Sequence, residues 1–484
     1  MKICYLAVFI EYALFLFTLP VMLFSAGCVM VGPDYVLPDK QAPVAWHAPL
    51  KNGLVSGEDD PGTLAVWWTS LNDQVLSNLI SRAVAGNLDL KKARARIRET
   101  RAKRGLSSAG LFPVLDANGS ATRNSSNESV GTGETIVLYN AGFDASWELD
   151  IFGGIRRSVE AAEADLGTSK EDLHDVLVSL IGEVAQNYIE MRTYQTRLTA
   201  MEANAGALAE TLQLASWRFE AGLIDGLAVQ QAAYNLENVR SQIPSLRTGL
   251  EGTMNRIATL LGEKPGAVHR ELENPGRIPS VPLKIAVGVP ADALRHRPDV
   301  RRTERELAAQ TARVGVAVAD LYPKFTLSGS IGLESLSLNR LFYSQNKIIS
   351  AASGITQPIF HGGAIRKNIE IQSALQEQAA IKYEATVLNA LEEVENVLTA
   401  YVEEQNKRDA LCLAEAAARK ATELSQYKFE AGLADFISVL DAQRSHLTFQ
   451  DQLAQSNGAV SINLVKLYKA LGGGWESLSP DEKK

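Results

Sequence analysis

Two kinds of hydrophobic periodicity alternate along the 484-residue chain. In residues 139–150 the apolar positions Tyr139, Phe143 and Trp147 alternate with polar or small residues, and a similar alternation runs through 324–334. A period of two is typical of a β-strand with one face in an apolar medium and the other in a polar medium. We therefore predict strands at both places.

After Gly154 the period changes, and apolar residues recur at spacings of four and three. The first such series is Leu177, Ile181, Val184, Tyr188 and Met191, and the second is Val387, Leu391, Val394, Leu398 and Tyr401. This heptad pattern predicts helices that pack side by side as in a coiled coil. We expect a helix from Gly154 to about Tyr194 and a further helix that ends at Ala221.

The chain carries an internal duplication at an offset of 210 residues. The segment Phe219–Leu223 recurs as Phe429–Leu433, and Leu261-Gly262 recurs as Leu471-Gly472. A constant offset over this distance indicates that one structural unit is present twice. Each copy predicts the order helix, strand, strand, long helix, turn, long helix.

The turns between the long helices have their own signature. Gly222 and Gly432 stand where a left-handed residue would end the first helix, and Asp225 and Asp435 stand where a side chain would cap the returning helix. We predict a tight hairpin tip in each copy.

The pattern divides the chain into six parts. The N-terminal signal covers residues 1–27, and an extended arm on the outside follows at 28–72; the first repeat occupies 73–262, a Pro-rich linker 263–298, the second repeat 299–472 and a C-terminal tail 473–484. The first helix of copy one is expected from about Asp73 to Ala109, where Pro113 follows.

The N-terminus has the features of a secretory signal. Lys2 precedes a long apolar stretch, and Ser25-Ala26-Gly27 leads into Cys28. We predict a bacterial lipoprotein signal, with Cys28 acylated as the first mature residue. An ordinary signal peptide and an uncleaved membrane helix are the alternatives.

Four strands with one apolar face in an exported protein suggest a membrane sheet. Such strands must close into a barrel, and four are too few, whereas three copies give about 12 strands and two copies about eight. The polar faces would line the lumen and favour cations, with the acidic residues Asp144, Glu148, Asp150 and Glu334. The alternative is a soluble α+β protein whose strands cover a helical layer.

Composition excludes several other classes. The net charge of −8 argues against a nucleic-acid binder, and three cysteines cannot form a disulfide framework. The six histidines form no metal-binding motif and no phosphate-binding loop occurs, so we expect no enzyme, no catalytic residue, no metal and no cofactor beyond the lipid on Cys28. Cys412 is expected to be a buried small residue.

Several motifs resemble one family across the whole mature chain. They are Cys28 with Gly32-Pro33-Asp34-Tyr35, Leu294-Arg295-His296-Arg297-Pro298-Asp299-Val300, Phe429–Leu433, Val439–Arg444, and Tyr468–Trp475. The chain resembles the lipoprotein (NodT-type) branch of the TolC-like outer membrane factors. The resemblance implies a mainly α, internally duplicated fold that forms a trimeric 12-stranded outer-membrane β-barrel continued by a long periplasmic α-helical barrel. It also implies a passive efflux duct that docks with a periplasmic adaptor protein and an inner-membrane, proton-driven pump.

The resemblance also implies a periplasmic gate on the second hairpin. Family members close their tip with an apolar ring and charged residues, and the matching positions here are Ile437, Asp441 and Arg444. Spacing alone favours an ordinary solvated helix pair of about 0.2–0.5 kcal/mol between the two charged residues.

Two other functions remain compatible with the sequence. The same duct could serve protein secretion, or the chain could be a lipid-anchored periplasmic coiled-coil scaffold that transports nothing. The exported substrate is not encoded in any motif of this chain.

Overall fold

The structure is a computed structural model that describes residues 30–37, 43–56, 61–125 and 135–478. The predicted signal and Cys28 lie outside the described residues. In chain order the helices are α1 (Pro61–Ala65), α2 (Gln74–Gly86), α3 (Leu88–Ala109), α4 (Gly154–Glu220), α5 (Gly226–Leu260), α6 (His269–Leu272), α7 (Pro290–His296), α8 (Pro298–Ala319), α9 (Ala364–Glu430) and α10 (Phe436–Ala470). The strands are β1 (Leu54–Val55), β2 (Val114–Ser125), β3 (Thr135–Leu149), β4 (Ile285–Ala286), β5 (Lys324–Ser335) and β6 (Lys347–Thr356).

The duplication is repeated in the lengths of the elements. Helices α3 and α8 have 22 residues each, α4 and α9 have 67, and α5 and α10 have 35. Every pair starts and ends at the offset of 210 residues found in the sequence. The predicted order of elements is therefore confirmed in both copies.

Two helix predictions are wrong in detail. The first helix of copy one is interrupted at Asn87, whose side-chain oxygen accepts from the amide of Leu90 at 3.0 Å and so caps a new helix. The long helix is uninterrupted from Gly154 to Glu220, without a break near Tyr194. At 1.5 Å per residue it spans about 100 Å.

The chain consists of two compact units. Of the described residues, the first unit comprises 30–37, 97–125, 135–169 and 303–383 and contains a four-stranded antiparallel sheet in the order β2-β3-β5-β6. The second unit comprises 43–56, 61–96, 170–302 and 384–478 and contains the two helical hairpins and a short parallel pair, β1 with β4.

The heptad pattern forms the core of the second unit. Leu177 and Val184 are fully buried, and so is Leu398 in the second copy. The Pro-rich linker is mostly irregular but packs against this core, since Leu272 and Val287 are also fully buried. The coiled-coil prediction is therefore confirmed.

The prediction of an extended arm is wrong for its last part. Residues 61–71 are helical, and Trp67 is buried with its ring stacked on Tyr468 at a centroid distance of 5.2 Å. Trp475, in the described part of the tail, stacks on His174 at 4.2 Å. Aromatic burial of this kind depends on residues far apart in the chain, which local periodicity does not detect.

Within the described ranges, no helix is both long enough and apolar enough to cross a bilayer.

Candidate functional site

The four-stranded sheet has one polar and one apolar face. Directly paired residues of an antiparallel sheet lie on the same face, and the row Asp116, Asp144, Ser330 and Ser350 runs across all four strands. The opposite face carries the apolar residues Leu115, Ala145, Phe143, Trp147, Leu327, Ile331 and Ile349. The alternation read from the sequence is therefore confirmed as two chemically distinct faces.

Three of the four predicted acidic residues lie on the polar face. Glu148 pairs with Thr326 and Glu334 pairs with Asn140, which places both on the face of Asp144. A further acidic residue on this face, Asp116, lies directly opposite Asp144 and is not among the predicted residues. Residues 115–122 alternate between apolar or small and polar residues as strictly as the neighbouring strand, so the same pattern identifies Asp116.

Asp150 corrects the fourth prediction. It follows the last residue of β3, and its carboxylate accepts from the amides of Ile155 and Arg156 at 3.0 and 2.9 Å. The Nε atom of Arg156 donates to it at 3.1 Å, and the Asp150 side chain is only 11% exposed. Asp150 therefore caps α4, where a carboxylate is favoured by the exposed amides, instead of lying on a strand face.

The outer edges of the sheet are unpaired in a single chain. Within the described residues, β2 pairs only with β3, and β6 pairs only with β5. Each edge presents a row of backbone amides and carbonyls that can bind a further strand.

Both hairpin tips have the predicted backbone conformation. Gly222 and Gly432 have φ values of +71° and +72°, and an added Cβ would meet nothing within 4 Å at either. Asp225 accepts from the amide of Ala228 at 3.1 Å, and Asp435 accepts from the amide of Ser438 at 2.9 Å. Gly222 and Gly432 thus end the first helix of each hairpin, and Asp225 and Asp435 cap the second.

The second tip is polar at the cap and apolar below it. The Ser438 hydroxyl and amide both donate to Asp435, and these hydrogen bonds lower the pKa of that carboxyl group. The two tips pack together through a cluster of Ala215, Ala228, Ala232, Phe436 and Leu440. The Arg218 guanidinium also lies over the ring of Phe429 at 4.3 Å.

The predicted gate residues lie on one face near the start of α10. Arg444 Nη2 is 3.2 Å from Asp441 Oδ1, and both side chains are more than 60% exposed. Ile437, one turn before Asp441, is also exposed. In one chain such a pair contributes little to stability, so its role as a gate stays a prediction.

The first copy carries no charge at the equivalent positions, which are Leu227, Gln231 and Tyr234. Helices α5 and α10 border a groove of about 320 Å³ that includes Asn238, Arg444 and Asp451. Asp451 is held by Arg197 through two hydrogen bonds of 2.7 and 3.1 Å. Charge at the gate positions is thus specific to the second copy.

The described residues contain no cluster of three or more His, Cys, Asp or Glu side chains that could hold a metal ion. Cys412 is exposed, which contradicts the expectation that it is buried. The helix periodicity around Cys412 did not distinguish the packed side of α9 from its outer side.

The chain is duplicated, its sheet has two chemically distinct faces and open edges, and its helical hairpins are very long. These features are typical of the class of proteins that form channels in outer membranes. The family model described as outer membrane efflux protein matches residues 79–263 and 289–473. The chain belongs to this family.

The relatives agree along nearly the full length. Nodulation protein T of Rhizobium leguminosarum bv. trifolii is 31% identical, over 94% of this chain and 97% of the relative. The solvent efflux pump outer membrane protein SrpC of Pseudomonas putida is also 31% identical, with the same coverage. The structure of the outer-membrane channel OprN is 33% identical, covers 92% of this chain and 99% of its own, and superposes with a TM-score of 0.87. The predicted fold class and the function of an outer-membrane efflux channel are thereby confirmed.

Proposed function

We propose that three copies of this chain form a passive duct through the outer membrane, closed by twelve strands and continued into the periplasm by the helical hairpins. The observation that carries this proposal is the sheet, which has an apolar face and two unpaired edges in one chain. In lipid an open edge leaves backbone groups without partners, so the edges must meet those of other copies. Two copies would close a barrel of only eight strands, whose interior is filled by its own side chains. Three copies therefore form the smallest barrel that leaves an open lumen.

The duplication supports a ring in the helical part as well. Within one chain α8 packs on α4, where Arg313 donates to Asp165 at 2.6 Å. The position in α9 equivalent to Asp165 is Leu375, which is exposed together with Ile371 and Ile381. We name Ile371, Leu375 and Ile381 the α9 stripe. Helix α3 is the copy-one equivalent of α8, so α3 of the next copy would cover this stripe as α8 covers α4.

The duct would perform no chemistry and would take its energy from elsewhere. No phosphate-binding loop occurs in the sequence, so transport must be driven by a partner. We propose a periplasmic adaptor protein and a proton-driven inner-membrane pump as these partners. The pump would select the cargo, because the polar strand face is a mixed surface of Ser, Thr, Asn and carboxylate side chains.

The chain would be anchored to the outer membrane by acyl groups on Cys28. The resting duct would be closed at the second hairpin by rings of Ile437, Asp441 and Arg444. Threefold symmetry would bring three copies of each gate residue around one axis, where the carboxylates can bind cations or pair with neighbouring arginines.

Planar-bilayer recordings of the purified protein test the duct. We expect ion-conducting pores from the wild type and from Ile371→Met, which keeps the α9 stripe apolar. The copy-one equivalent of Ile371 is Ala161, which is buried. We expect Ile371→Asp to lower the number of pores at least tenfold, because a carboxylate would be buried at every contact between copies. A protein that never conducts would instead be the non-transporting scaffold, and an Ile371→Asp variant that conducts normally would contradict this arrangement of copies.

A further inference from the structure

Arg157, in the first turn of α4, is buried although it is charged. Its side chain is 2% exposed. Nε donates to the carbonyl of Val31 at 3.1 Å, and Nη2 donates to the carbonyl of Gly32 at 3.3 Å and to Asp34 at 2.6 Å. Nη1 donates to Glu160 at 2.7 Å. Three of its four partners therefore belong to the N-terminal arm, 123 or more positions away in sequence.

The arm fits against this arginine without spare room. Gly32 has a φ of +87°, and a Cβ there would come 2.4 Å from the Cα atom of Gly315 in α8. Met30 lies against Gly153, where an added Cβ would be 2.7 Å from the Met30 side chain. The amide of Val31 donates to the carbonyl of Phe152 at 3.1 Å. Residues 30–34 thus occupy a slot that only glycine at these contact points leaves open.

The second copy shows what this position looks like without an arm. The equivalent of Arg157 is Lys367, which is 75% exposed and pairs with Glu370 at 2.6 Å. Glu370 is in turn the equivalent of Glu160. The ion pair along the helix is common to both copies, whereas the burial and the contacts to carbonyl groups occur only where the arm docks.

We infer that Arg157 is a positioning residue for the lipid anchor: by binding the carbonyls of Val31 and Gly32 and the carboxylate of Asp34, it holds residues 31–34 beside the turn between β3 and α4 and so limits how far an acylated Cys28 can lie from that turn. This inference rests on the proposed acylation of Cys28. One residue, Val29, lies between Cys28 and Met30, so the Cα atoms of Cys28 and Met30 are at most about 7 Å apart. The acyl chains would therefore enter the bilayer at the level where the sheet ends.

The docked arm should be held firmly. Withdrawal of the arm would replace three hydrogen bonds of the Arg157 guanidinium, one of them to a carboxylate, by contacts with water. The arm and the first turn of α4 therefore act as one rigid element that ties the anchor to the sheet.

Hydrogen–deuterium exchange of the full-length, detergent-solubilised protein tests this inference. We expect the amide of Val31, which donates to the carbonyl of Phe152, to exchange at least tenfold faster in Arg157→Gln than in the wild type, while β2, β3, β5 and β6 keep their protection. Lys367→Gln is the matched control and should leave the arm unchanged. Equal protection of the arm in Arg157→Gln and wild type would overturn the inference.

A second variant approaches the slot from the other side. Gly32→Ala leaves Arg157 intact but places a methyl group against Gly315, so it should release the arm to a similar extent. If its arm stays protected, the slot does not hold the arm. The mass of the N-terminal peptide in the same experiment reports acylation separately. A peptide without acyl mass would overturn the role as an anchor, although the duct could still form.

Discussion

Arg297 Nη1 lies 2.7 Å from Glu393 Oε2 and donates to the carbonyl of Ala470 at the same distance. The arginine also pairs with Asp299 at 2.7 Å, and its side chain is only 10% exposed. One side chain near the end of the Pro-rich linker thus joins the start of α8, the middle of α9 and the end of α10.

Replacement of Arg297 and replacement of Glu393 should therefore lower the free energy of unfolding by different amounts. Arg297→Met should lower the free energy of unfolding by about 2–3 kcal/mol, because the buried carbonyl of Ala470 loses its side-chain donor and Asp299 loses its ion pair with the arginine. Glu393→Gln should cost about 1 kcal/mol or less, because Glu393 is 44% exposed and Arg297 keeps Asp299. Chemical unfolding followed by circular dichroism measures both. Equal losses would show that the Glu393 contact carries the arrangement.

The gate prediction concerns Asp441 and Arg444. Replacing both by alanine should increase single-channel conductance and the uptake of large antibiotics by cells, because the charged rings that close the tip would be removed. Gln231→Ala with Tyr234→Ala changes the equivalent positions of copy one and should leave both properties as they are. Unchanged conductance in the Asp441 and Arg444 variant would mean that the pair is an ordinary solvated helix contact.

The acidic residues of the sheet give a prediction about selectivity. Asp144→Asn should lower the ratio of cation to anion permeability, since Asp144 and Asp116 face each other on the polar side of the sheet. Asp150→Asn removes the same charge from a helix cap, so it should leave the ratio unchanged and lower stability by about 1 kcal/mol. Reversal potentials in a salt gradient distinguish the two variants. A larger shift for Asp150→Asn would contradict the assignment.

The cap of the second tip should depend on pH. Hydrogen bonds from Ser438 lower the pKa of Asp435 in the folded protein, so the carboxylate stabilises the tip above the ordinary pKa of 3.8. This contribution is lost as the pH falls through the lower folded-state pKa. We expect faster amide exchange around residues 432–438 at about pH 3 than at pH 7, after correction for intrinsic rates.

Asp435→Asn is the control for this prediction, because an amide oxygen can still accept the capping hydrogen bond but does not titrate. Its tip should show no such change with pH. An equal loss of protection in wild type and variant would assign the effect to another group.

The sequence was most informative where a feature repeats locally. Alternation identified β3 and β5, the heptads identified the buried face of α4, and the duplicated Gly222 and Gly432 identified both tips. These features need only neighbouring residues, and each is present twice. Equivalent long helices of the two copies have the same number of residues, as the constant offset predicts.

Features that depend on distant residues could not be predicted in the same way. Nothing near Arg157 in the sequence indicates that residues 31–34 will cover it, and the burial of Trp67 depends on Tyr468 in the last helix. Asp150 continues the alternation by one residue, so the pattern predicts that it lies on a strand face. The strand ends at Leu149, and Asp150 then caps a helix.

The native mass of the detergent-extracted protein tests the central claim most directly. Light scattering or native mass spectrometry should give three copies of the 52.5 kDa chain, less the cleaved signal and plus the acyl groups on Cys28. A trimer that needs detergent to stay in solution is the result that the twelve-stranded duct predicts. One or two copies, or a protein that stays in solution without detergent, would contradict it.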